Sequence, residues 1–112
     1  MANAIARRIK SLRTKNSIKN LEVAKILGMR PETLSRWISG RSHPTSTTKK
    51  TLRELEIIFD QLSDLYEPDE ARQWIFSRNM YLDGASPAEF IGKGKIEEVK
   101  RLVDQLRDKV HV

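Results

Sequence analysis

Between Asn20 and Ser39 the chain sets Val23, Ala24, Leu27, Gly28, Leu34 and Trp37 at spacings that suit two short helices joined by a tight turn. Ala24 allows the helices to approach closely, and Gly28 can take the left-handed backbone conformation that reverses the chain. Val23, Leu27, Leu34 and Trp37 can then face one shared core. This is the spacing of a helix-turn-helix, and it commits the front of the chain to an all-α arrangement.

A helix pair of this kind needs a third helix to pack on. Ile5, Ile9 and Leu12 supply its apolar stripe, with Asn3 as the N-cap of a helix over about 4–14. Residues 1–21 are also basic, amphipathic and free of acids, as an organellar transit peptide or a membrane-surface helix would be. The packing demand favours the structural account. The second helix is expected over 21–27. The third runs over 31–39, opened by Pro31 and closed by Gly40.

Charge divides the chain in the same place. Residues 1–50 hold 12 Lys and Arg against 2 acids, and residues 51–112 hold 9 against 13, a split of +10 and −4. A basic front half concentrates at a polyanion through counterion release, whereas an acidic back half is repelled by DNA and suits another task. Absence of Cys excludes disulfides and the usual zinc fingers, and the lack of a long apolar run excludes a spanning helix. The expectation is a cytoplasmic protein with no membrane partner, no metal and no cofactor. At 112 residues it is small enough to gain from burying surface in a homodimer.

Downstream, Arg41 to Thr47 reads as a polar connector containing Pro44. Leu52, Leu55, Ile58, Phe59, Leu62 and Leu65 then recur at helical spacing behind a capping box from Thr51 to Glu54. Pro68 opens a short helix ending near Phe76, with Glu67 as its cap and Asp69 and Glu70 in its first turn. A turn through Asn79, Asp83 and Gly84 follows. Ser86, Pro87 and Glu89 start another short helix that Gly92 stops, and Ile96, Val99, Leu102, Val103 and Leu106 mark the last one. The chain thus divides into a helix-turn-helix domain at 1–66, including the long fourth helix, and a helical domain at 67–112.

Base contacts are expected from the outer side of the third helix, whose first residues enter the major groove while Leu34 and Trp37 hold it to the core. Arg36 is the first choice, since its guanidinium can donate two bonds to the O6 and N7 of guanine. Glu32 can accept from cytosine; Thr33 and Ser35 are less selective. Arg30 stands at the N-cap, where a cation opposes the helix dipole and makes sense beside a phosphate or a base edge. Asn20, Lys25, Arg41, Lys49 and Lys50 fit phosphate contacts that set register without reading sequence. For Arg36 the alternative is a solvated helix charge, and for Arg30 a neutral surface choice.

Trp37 falls on the inward spacing of the third helix. Trp74 and Phe76, two apart on a short helix, cannot both point the same way, so one meets the core and the other a neighbouring surface. Signals for catalysis are poor. His43 and His111 stand alone, and Gly92-Lys93-Gly94 lacks the strand that a phosphate loop follows. Glu97 and Glu98 face apart and solvate the last helix. The chain is read as a non-enzyme.

The helix-turn-helix head, the segment from Pro31 to Trp37 with Gly40 and Pro44 behind it, and the series Trp74, Asn79, Gly84, Pro87 and Gly94 together resemble the antitoxins of the Xre, MbcA and ParS type. Arg78 stands where that family often has proline, and the tail Lys109-Val110-His111-Val112 is similar to the MbcA branch. The resemblance implies a type II toxin–antitoxin system. Its toxin partner would be a RES-domain protein that consumes NAD or transfers its ADP-ribosyl group. Toxin-facing residues would be Trp74, Phe76, Asn79, Tyr81, Phe90 and Lys93, with the apolar tail Val110, His111 and Val112 entering the toxin's cleft. It also implies autoregulation at double-stranded promoter DNA. The alternatives are a stand-alone transcription regulator whose C-terminal helices dimerise or bind an effector, and a structural adaptor.

Overall fold

The computed structural model describes residues 3–110, with Val110 described in its backbone alone. Seven helices and one 3-10 turn make up the described chain: α1 Ala4–Asn16, α2 Asn20–Ile26, α3 Pro31–Ser39, α4 Ser46–Leu62, α5 Pro68–Phe76, the 3-10 turn Met80–Leu82, α6 Pro87–Gly92 and α7 Ile96–Val110. No strand occurs among the described residues, so the chain is all-α, a helix-turn-helix followed by a second helical unit.

Local chemistry accounts for most boundaries. Asn3 caps α1, its Oδ1 accepting the Ala6 N–H at 2.7 Å. α1 runs two residues past the expected end because Ser17 takes a left-handed conformation at φ 56° and closes the helix there. Pro31 opens α3 and Gly40 closes it at φ 80°. Pro68 opens α5, where the Glu67 N–H donates to the Glu70 carboxylate at 2.9 Å. Ser86 Oγ accepts from the Glu89 N–H at 3.1 Å and starts α6.

Helix α4 differs from expectation at both ends. It begins at Ser46, where Thr45 Oγ1 accepts the Thr48 N–H at 3.2 Å, and not behind a box from Thr51 to Glu54. Thr51 lies inside the helix and donates to the Thr47 carbonyl at 3.2 Å, while Glu54 is buried. The threonine-rich first turn carries no apolar periodicity and so resembled a connector, but its cap suffices to start the helix behind Pro44. Leu65 lies beyond the end at Leu62, its N–H bonded to the Leu62 carbonyl at 2.9 Å. Two smaller differences concern the last third. Gly92 is the final residue of α6, and the left-handed residue that follows is Gly94 at φ 82°. The turn after α5 contains the unanticipated 3-10 turn.

One apolar cluster runs through the whole molecule, from Ile9, Val23 and Leu34 through Leu55, Ile58 and Phe59 to Ile75, Ile91, Val99 and Val103. α1 packs on α2, α3 and α5; α2 packs on α3 and α6; α7 packs on α4 and α6. Trp37 is buried in this cluster, as its spacing required. Ile9 and Leu12 are buried and Ile5 packs against the cluster, so the basic first helix is part of the core.

Candidate DNA-reading and toxin-facing surfaces

The third helix is held from behind and from both ends. Leu34 and Trp37 turn inward and are buried, which leaves Glu32, Ser35 and Arg36 exposed on the opposite side and Thr33 half-buried at its edge. At the N-terminal end Gly28 reverses the chain at φ 69°. At the C-terminal end the Arg41 and Ser42 N–H groups donate to the Arg36 carbonyl at 2.9 and 3.3 Å. The Asn3 amide, besides capping α1, donates to the Trp37 carbonyl at 3.1 Å and ties the start of α1 to the end of α3. Sequence reading found the cap and missed this tie, which needs the two segments to be adjacent in space.

Arg30 sits at the N-cap of α3, exposed, and its side chain makes no cap bond. Asn20 opens α2, Arg41 follows Gly40, and Lys49 and Lys50 lie near the start of α4; all four are exposed. Lys25 differs from these because its ammonium stands 6.0 Å from the centre of the Phe76 ring, which draws it toward α5.

The second surface is built by α5, the turn behind it and α6. Trp74 and Phe76 are both half-buried, so neither is wholly given to the core. Phe76 takes the Arg72 guanidinium over its ring at 5.6 Å. Asn79 organises the following turn: its Oδ1 accepts the Tyr81 N–H at 3.0 Å, and its carbonyl accepts from Leu82 and Gly84. The Asn79 side-chain oxygen thus helps to shape the loop that follows it. That loop displays Met80, 82% exposed, and Tyr81, 65% exposed, beside a shallow recess of about 410 Å3 that Leu102 and Leu106 also line. Met80 was not anticipated, since a lone methionine in a turn carries no sequence signal. Phe90 is half-buried with the Lys95 ammonium 5.4 Å from its ring, and Lys93 is exposed at the end of α6. The Lys109 ammonium stands 5.6 Å from the Tyr81 ring. His111, Val112 and the side chain of Val110 lie outside the described residues.

The two surfaces share one scaffold. Gly28, in the turn of the helix-turn-helix, lies against Gly92 at the end of α6; a Cβ there would come within 2.6 Å of the Gly92 carbonyl oxygen. Arg72 on α5 forms an ion pair with Glu22 on α2. Burial alone pushes the Glu22 carboxyl up, but hydrogen bonds from Arg72 and from the Lys19 backbone, with the charges of both residues, outweigh it and hold the group below its ordinary value. Among the described residues no group of His, Asp and Glu is placed to hold a metal, and no helix is long and apolar enough to cross a membrane.

An exposed third helix on a three-helix head, joined through a common core to a second helical unit with an exposed apolar and aromatic surface, defines a two-part helix-turn-helix protein. Residues 9–57 match the helix-turn-helix family, and residues 54–109 match the family described as the antitoxin Xre/MbcA/ParS C-terminal toxin-binding domain. The chain belongs to the Xre/MbcA/ParS antitoxins. It is 32% identical over 91 residues to the mycobacterial cidal antitoxin MbcA of Mycobacterium tuberculosis, covering 81% of this chain and 80% of that one. A probable mycobacterial cidal antitoxin of the same organism is 25% identical over 96 residues, 85% of this chain and 81% of that one. In the crystal structure of the M. tuberculosis MbcT-MbcA toxin-antitoxin complex, one chain superimposes with a TM-score of 0.76 at 28% identity, over 98% of this chain and 99% of its own length.

Proposed function

We propose that this antitoxin holds a RES-domain, NAD-consuming or ADP-ribosylating toxin inactive by covering its active site, and binds its own promoter to repress the operon. The observation that carries the toxin half is the full-length likeness to a chain solved in a toxin-antitoxin complex. The exposed Met80 and Tyr81, which line one recess with Leu102 and Leu106, support it, because exposed apolar and aromatic groups gathered together are how protein interfaces are built. The RES fold and the NAD chemistry of the partner rest on the family resemblance. The tail residues Val110, His111 and Val112 are assigned to the toxin's cleft on the same resemblance.

The promoter half is supported by the exposed Arg36, Glu32 and Ser35 on α3, with Arg30, Asn20, Arg41, Lys49 and Lys50 as the surrounding positioning groups. A dimer would read two half-sites about 34 Å apart, or a multiple of that spacing.

Co-expression with the product of the adjacent reading frame tests the toxin half. Growth and cellular NAD are expected to return to normal with the full chain, and deletion of residues 109–112 is expected to impair neutralisation. Growth arrest that persists with the full chain would leave a stand-alone regulator. For the promoter half, Arg36→Ala should relax preference at one base pair, while Lys49→Ala should weaken all duplexes alike and lower the salt slope by about 1. Equal losses on specific and random duplexes for both changes would refute the division of roles.

A further inference from the structure

A groove between α1 and α4 belongs to neither of the surfaces described above. Its volume is about 450 Å3, and it is walled by Lys15 on α1 and by Arg53, Ile57 and Asp60 on α4, above Leu12 and Phe59. Ile57 is 46% exposed, whereas Leu52, Leu55, Ile58, Phe59 and Leu62 of the same helix are buried. Ile57 thus presents nearly half of its surface to solvent at the groove, where the other apolar residues of α4 face the core.

Arg53, Ile57 and Asp60 follow one another at four- and three-residue steps and so form a single stripe along α4. Read along the helix, the stripe is a cation, an apolar centre and an anion. Such a stripe is complementary to itself when reversed. The ion pairs among the described residues are Arg8 with Glu56, Arg72 with Glu22, Lys100 with Glu97 and Arg107 with Asp64; none draws on Lys15, Arg53 or Asp60.

We infer that this groove is where a second copy of the chain docks, the two α4 helices running antiparallel about a two-fold axis beside Ile57. Arg53 then faces Asp60 of the second copy, and Asp60 faces its Arg53. An isologous contact of this kind presents the same patch on both sides, as a two-fold dimer requires. The paired charges fix the register, and the two Ile57 side chains leave water at the centre. The inference deepens the promoter reading, which calls for a dimer, by naming its face. Its test follows assembly of the chain alone, so failure here is distinct from failure to bind DNA or toxin.

Sedimentation velocity of the purified full-length chain provides that test. The unaltered chain is expected to sediment as a dimer. Arg53→Asp or Asp60→Arg alone sets like charges opposite each other at both ends of the contact, and each should raise the dissociation constant roughly tenfold or more. Helical circular dichroism should be unchanged, because Arg53 and Asp60 are both exposed. Mixed in equal amounts, the two variants should recover the dimer, since each like-charged pair becomes an opposite one. A chain that is monomeric across its soluble range overturns the proposal, as do single reversals that leave the dimer intact or a mixture that stays monomeric. A monomeric chain whose reversals instead weaken capture of the toxin would assign the groove to the toxin, and that also overturns it.

Discussion

Gly28 meets two demands that differ in kind. Its left-handed backbone at φ 69° reverses the chain between α2 and α3, a need visible in the sequence as a glycine between two helical patterns. The contact with Gly92 is a separate constraint, because the space a Cβ would fill is occupied by backbone that cannot swing aside as a flexible side chain would. Gly28→Ala is therefore expected to destabilise by about 2 kcal/mol or more, seen as a lower urea midpoint. Asn3 shows the same division between legible and hidden. Its cap on α1 follows from residue type and position, but its bond to the Trp37 carbonyl joins residues 34 apart in sequence and belongs to the tertiary structure.

At the scale of elements, the start of α4 decides where the connector from the recognition helix ends. Thr45→Ala removes the side-chain acceptor of the Thr48 N–H and should cost about 1 kcal/mol, whereas Thr51→Ala removes only a hydroxyl bonded back to the preceding turn and should be near neutral. Chemical denaturation of the two variants distinguishes them, and equal effects would put the cap elsewhere. The link from α2 to α5 has a pH signature. Because Glu22 is held below its ordinary value, the folded chain gives up this proton more readily than the unfolded one. Its contribution is complete above the usual carboxylate range, about pH 4.3, and is lost as pH falls through the lowered folded value. Glu22→Gln should flatten that segment of the stability profile. The change should be small, about 0.5 kcal/mol, since the Arg72 side chain is 41% exposed to screening solvent. Urea midpoints between about pH 3 and 6 would show it.

Over the whole molecule, the helix-turn-helix and the C-terminal helices share one core rather than meeting across a linker. Each of α1, α2 and α4 has a partner in the second half, namely α5, α6 and α7. The expected consequence is a single cooperative unfolding transition. Trp37 lies in the head and Trp74 on α5, so Trp74→Phe and Trp37→Phe variants each leave one tryptophan reporting on one half. In both variants the fluorescence midpoint should coincide with the far-UV circular dichroism midpoint. Separate midpoints would mean that the two halves unfold independently. The common core is tied across the two halves by the pair of Glu22 with Arg72 and by the approach of Gly28 to Gly92.

Helix type and order, the left-handed glycines at 28 and 40, the proline starts at 31, 68 and 87 and the burial of Trp37 follow from residue chemistry within a few positions of the chain, and these the sequence determined by itself. Only the folded molecule decided that Lys25 turns to Phe76, that Met80 is displayed and that Ile57 is left partly outside the core. The physical reason is range. A cap or a turn is settled by neighbours along the backbone, whereas the company a side chain keeps depends on elements brought together from 30 to 50 residues away.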